Sequence, residues 1–183
     1  MQEKNNSPKR YNTHPFPAYR YIPTQTPHPV IDPKGHSFGK EEEKVDYIVP
    51  EEWKKNSLYL YGIDLFNFGF WWEAHEAWET LWLKTKKFNL EGQFLQGLIQ
   101  MSAALLKLYQ GNTKSFFKLF EESSKRLHFC ITELNKTNTE KFMGISLKKW
   151  LSEITYFKEN IRLKQFISRD AIEDELFPFL LPN

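Results

Sequence analysis

Seven of the ten prolines lie between Pro8 and Pro33, and that clustering divides the chain before any other signal is read. Proline fixes φ, lacks an amide N–H and biases the preceding residue towards extended backbone, so no helix forms across such a stretch. Yet Tyr11, Phe16, Tyr19, Tyr21 and Ile22 interleave with the prolines, whereas flexible linkers are poor in aromatic residues. The segment from Tyr11 to Phe38 therefore reads as an extended arm laid across a folded body. The charged stretch Lys40 to Lys44 marks its end, giving an arm over residues 1–49 and a body over residues 50–183.

The body carries helical signals throughout. Pro50 followed by Glu51 and Glu52 has the chemistry of a helix start, with proline at the first turn and acids facing the positive end of the dipole. The expected helices run from Pro50 to about Asn67, Phe70 to Lys84, Leu90 to Gln110, Thr113 to Asn135, and from a Ser146 cap to about Lys164. Gly69 allows the first turn, and Gly111 with Asn112 stops the third helix. The tail after Ala171 is acidic and then apolar. No β alternation is sustained. Short connections between amphipathic helices favour antiparallel neighbours, so the expected fold is all-α, a helical bundle of about five helices with an extended proline-rich N-terminal arm.

Charge and cysteine usage exclude several function classes. Twenty-five Lys and Arg against 23 Asp and Glu leave a formal charge of +2. That excess makes no long-range field, so neither nucleic acid nor an anionic membrane is indicated as a partner. Clusters such as Lys84, Lys86 and Lys87, or Lys148 with Lys149, read as solvated helix ends. Cys130 is the single cysteine, so no intramolecular disulfide forms. The first ten residues lack the apolar stretch of a signal peptide, and no run approaches the ~20 apolar residues of a membrane span. The default location is cytoplasmic.

The second expected helix holds four of the six tryptophans and an unusual polar set. At about 100° per residue, Trp71, Ala74, Trp78, Leu81 and Trp82 form one apolar face, with Glu73 and Thr80 opposite. Trp72, His75, Glu76, Glu79 and Leu83 fall on an arc between the two. Polar groups mixed with large apolar ones are expected to be partly buried, and a buried carboxylate needs a partner. In the third helix Gln93, Gln96 and Gln100 stand on one face opposite an apolar stripe, flanked by Gly97 and Ala104, which permit close helix approach. Glutamine three times over suggests specific partners, and Glu76 is expected to be buried beside His75 and bonded to Gln96 or Gln100. The candidate ligand-binding residues are thus Trp72, His75, Glu76, Glu79, Gln96 and Gln100.

Two further readings of this cluster stay open. His-Glu-x-x-Glu is the zinc motif His-Glu-x-x-His with its last ligand replaced: His75 and Glu79 would hold a divalent metal and Glu76 would act as catalytic base. The arm could add ligands, since Asp32, Pro33 and Gly35 fit a type I turn that brings His28 and His36 together. The metal set would then be His75, Glu79, His28, Asp32 and His36. Alternatively His75 and Glu79 are an ordinary i, i+4 pair, the tryptophans are core, Asp32 bonds turn amides, and the histidines cap or stack on aromatic rings.

The string LFNFGFWWEAHEAWE over residues 65–79, followed by Leu95-Gln96-Gly97-Leu98-Ile99-Gln100 and Gly111-Asn112, resembles the domain of unknown function 309 family. The resemblance covers about Tyr61 to Leu127. In the arm, Tyr19-Arg20-Tyr21-Ile22-Pro23 and Asp32-Pro33-x-Gly35-His36-Ser37 are similar to longer members. The resemblance implies an all-helical bundle and no activity.

Three function classes follow. The first is a non-catalytic binding module that holds a small polar ligand or a peptide in a polar cleft between the second and third helices, lidded by the arm. The second is a metal-dependent hydrolase. The third is a structural, self-associating protein, for which a homodimer is expected. No Gly-rich phosphate loop, nucleophile elbow or Cys-x-x-Cys pair points elsewhere.

Overall fold

A computed structural model describes residues 8–40, 45, 47, 49–86, 89–163 and 178–183. The expected boundary at 41–44, Lys87, the end of the fifth helix at Lys164 and the tail residues 171–177 lie outside the described residues. The body is all-helical: a short 3-10 helix Pro50–Lys55, then α1 Ser57–Asn67, α2 Trp71–Trp82, α3 Leu90–Tyr109, α4 Thr113–Lys136 and α5 Leu147–Leu163. Among the described residues there is no strand; the nearest thing is one isolated bridge between Phe142 and Ile145. No described helix is long and apolar enough to cross a membrane.

Local chemistry explains where the helices stop. The expected first helix is divided at Asn56, whose backbone (φ −80°, ψ 89°) leaves the helical region while its side chain accepts the Tyr59 amide at 2.9 Å. Asn56 is thus an N-cap inside what reads as one helix, because asparagine satisfies an orphan donor better than it continues a turn. Asn89 and Asn112 cap α3 and α4 in the same way, accepting from Gly92 and Ser115. Gly69 and Gly111 adopt φ of +79° and +76°, which only glycine takes without strain, and so reverse the chain after α1 and α3.

Consecutive helices pack on one another around an aromatic core. Trp78 is fully buried, meets Phe66 in a tilted ring contact at 5.6 Å and donates its Nε1 to Tyr59 O. Tyr59, also fully buried, donates its hydroxyl to Met143 O at 2.9 Å. Phe94, Phe116, Phe120, Leu98, Leu105, Leu127 and Ile154 complete the interior. Aromatic side chains at this burial each contribute roughly 2–3 kcal/mol.

The arm lies against α1 and α2, but only partly as an extended strap. Tyr11 and Phe16 pack on the core, and Phe16 stacks on Phe70 at 5.0 Å. Beyond Tyr21 the chain turns: Gln25 and Thr26 amides return to Ile22 O, Gly35 N closes the expected Asp32 turn at 2.7 Å, and Ser37 N reaches back to Pro29 O. Residues 27–38 are therefore a compact loop where an extended segment was expected. Proline restrains single residues, and Asp32 and Gly35 supply the turn that the restraint allows.

Candidate functional site

Helix α2 presents two polar surfaces. The first lies under the arm. Glu73, expected opposite the apolar face, is only 6% exposed. Its Oε1 accepts the Tyr21 amide at 2.8 Å and lies 3.2 Å from His36 Nε2, whose Nδ1 is 3.0 Å from Ser37 Oγ. One helix earlier, Asp64 is fully buried and accepts from Arg10 Nε at 2.9 Å and from the Tyr11 and Asn12 amides at 2.8 Å. These carboxylates supply what an extended segment lacks, acceptors for its unpaired backbone N–H groups. Asn67 does the same for the C-terminal segment, pairing both ways with Leu180 at 2.8 Å. The available signal for Asp64 was an acid set between Ile63 and Leu65 in an otherwise apolar run.

The second polar surface is the edge of α2 that the arm borders without covering. His75, Glu76 and Glu79 each offer one ligand atom, all within 4.8 Å of one another, and they are the one such group of three among the described residues. His75 Nε2 stands 3.6 Å from Glu79 Oε2. His75 and Glu79 are half-buried. Glu76 is exposed, so its expected burial is corrected: on the wheel it lies a further 100° outward than His75, away from α3. Burial lowers the His75 pKa from its usual value, opposed by the Glu79 carboxylate and the Ile99 carbonyl. The imidazole is therefore neutral at pH 7 and holds a lone pair for a ligand.

The other candidates are distributed as follows. Trp72 is half-buried and meets Tyr21 and His28 edge-on at 5.1 and 5.6 Å. His28 Nδ1 accepts from the Val30 and Ile31 amides, and Asp32 Oδ1 accepts from Lys34 N. His28, Asp32 and His36 thus serve the arm's own loop and its contact with Glu73, and the three-residue ligand group on α2 does not include them. Gln96 is half-buried on α3. Gln100 bonds Arg126 of α4, not Glu76. Where Arg20, Tyr21 and Ile22 cross the junction of α2 with α3, beside Trp71 and Tyr109, the free space is about 10 Å³, room for about one water.

Comparison with known proteins finds one family match, and it spans the site. No curated protein and no solved structure matches the chain. Residues 59–119 match the family described as Domain of unknown function (DUF309). That span contains α2, α3 and nearly all of α1, with the clamp acids Asp64 and Glu73 and the His75 edge together. The chain is therefore similar to that family over residues 59–119, about a third of its length.

Proposed function

We propose that this protein is a non-catalytic binding module whose ligand sits on the α2 edge formed by Trp72, His75, Glu76 and Glu79. The observation that supports this reading is the grouping of one imidazole and two carboxylates within 4.8 Å on a surface that stays partly open. Such a donor set favours a small cationic ligand, with a divalent metal the simplest case: nitrogen and oxygen ligands suit zinc, and three protein ligands leave a position open. A neutral His75 is the form that coordinates. The lone cysteine is buried and unpaired, which suits a reducing compartment and supports a cytoplasmic location.

An open metal position also suits the hydrolase reading, in which Glu76 is the base beside the His75 and Glu79 ligands. One set of variants separates the readings. Elemental analysis of the purified chain, and melting with added zinc or chelator, should give about one metal per chain and a stabilisation that grows with metal concentration. His75→Ala and Glu79→Ala should abolish both. Glu76→Gln that keeps metal but loses ester hydrolysis would favour the hydrolase. Absence of metal and of any zinc-dependent shift would remove the cation reading altogether.

A further inference from the structure

Two of the three α3 glutamines meet the same partner. Arg126 of α4 donates Nε to Gln100 Oε1 at 3.0 Å and Nη1 to Gln93 Oε1 at 2.8 Å. The helices come this close at Gly97, where a Cβ would stand 3.1 Å from Leu127 Cδ2, and Ser123 Oγ donates to Gly97 O at 2.7 Å. The guanidinium is half-buried and fixed in orientation from two turns of α3.

Both acceptors are neutral. An arginine held by carboxylates is neutralised by them, whereas one held by amide carbonyls keeps its full charge and is already ordered for a ligand. Among the described residues no carboxylate lies within ion-pair distance of Arg126; Glu122, one turn earlier, is paired with Lys125 at 3.0 Å and feels Arg126 more weakly, from beyond that distance. Nη2 makes no hydrogen bond among the described residues, and a guanidinium offers its donors in a planar fork that matches carboxylate and phosphate oxygens. Beside it is a depression of about 370 Å³ lined by Gln93, Glu122, Lys125, Arg126 and Phe129. That is the size of a small-molecule site. Phe129 is 42% exposed there and offers an aromatic wall next to the cations.

We infer that this depression binds a small organic anion, with its carboxylate or phosphate group on Arg126 and its apolar part against Phe129. The site lies between α3 and α4, so it stands independently of the α2 edge. The competing account is that Arg126 only ties the two helices together. Gln100→Glu distinguishes them, because it keeps the shape of the tie and adds a charge partner while neutralising the guanidinium. Titration of the full chain with benzoate and with phenyl phosphate, followed by amide NMR shifts, should give saturable changes centred on Arg126 and Phe129. The tighter of the two probes identifies the anion class, and inorganic phosphate, lacking the ring, should bind more weakly than phenyl phosphate. Gln100→Glu should weaken binding at least about tenfold with its melting temperature unchanged or raised, a tenfold change corresponding to about 1.4 kcal/mol. Gln93→Glu should repeat the result and serves if the first variant does not fold. No saturable change with either probe, or wild-type affinity in the folded glutamate variants, would overturn the assignment.

Discussion

Replacing Asp64 by alanine tests how the arm is held. The carboxylate is fully buried and both oxygens are committed to residues more than 50 positions away. Hydrogen bonds to a charged acceptor contribute about 1.5–3 kcal/mol each. The Arg10 bond is discounted because that side chain is 34% exposed and screened by water. The two amide bonds then set a ceiling of about 3–6 kcal/mol. The ceiling is not reached if the arm can detach, since the freed Tyr11 and Asn12 amides hydrate and the loss stops at the docking energy of that segment. The expected cost is about 2–4 kcal/mol, read from urea denaturation followed by tryptophan emission. Trypsin should at the same time cut faster at Arg10 and Arg20. A change within about 0.5 kcal/mol, or a large loss of stability with tryptic cleavage of the arm unaltered, would refute the clamp.

Three other outcomes follow from the same contacts. Gly62→Ala places a Cβ against the Trp78 indole, 2.7 Å from its Cε2; crowding should outweigh the gain in helix propensity and cost about 1–3 kcal/mol in denaturation. The Cys130 thiol, pushed up to about 12 by burial, should react with a disulfide reagent only as the chain unfolds, and its rate should track urea concentration. The lowered His75 pKa means that the unfolded chain binds this proton more readily. The stability it confers is full above the ordinary value of about 6.5 and is lost as pH falls through the lower folded value. His75→Gln should flatten that part of the stability–pH curve, and an unchanged acid slope would count against the burial of this ring.

Helices were legible where a strong period coincided with a local stop. The end of α3 and the start of α4 fall within a residue of the sequence reading because Gly111 and Asn112 act on their immediate neighbours. The break at Asn56 was not, although its capping bond is equally local. Asparagine is tolerated inside a helix at modest cost, so a single one between Trp53 and Tyr59 cannot be told from an interior residue by composition alone. In the arm the turn at Asp32 was legible, whereas the fold-back of Ser37 onto Pro29 was not.

The polar residues of α2 show why a helical wheel was sufficient for one edge and misleading for the other. A wheel gives the angle of a side chain but not what covers it. His75 and Glu76 stand four and three positions before Glu79, spacings that make neighbours on any helix, so their grouping around Glu79 follows from spacing alone. Glu73 stands at an angle that reads as solvent, and it is buried because Tyr21 and His36, 52 and 37 positions away, lie over it. No window the length of a helix contains both partners. The acceptor demand of the arm does point in the right direction. An extended, proline-rich segment that packs on a body presents amide donors with no ladder to receive them, so acids or amides on the nearest helices must supply acceptors. Asp64 and Glu73, on the helices joined at Gly69, are the acids in that position, and the Gln93–Arg126–Gln100 tie follows the same logic between α3 and α4.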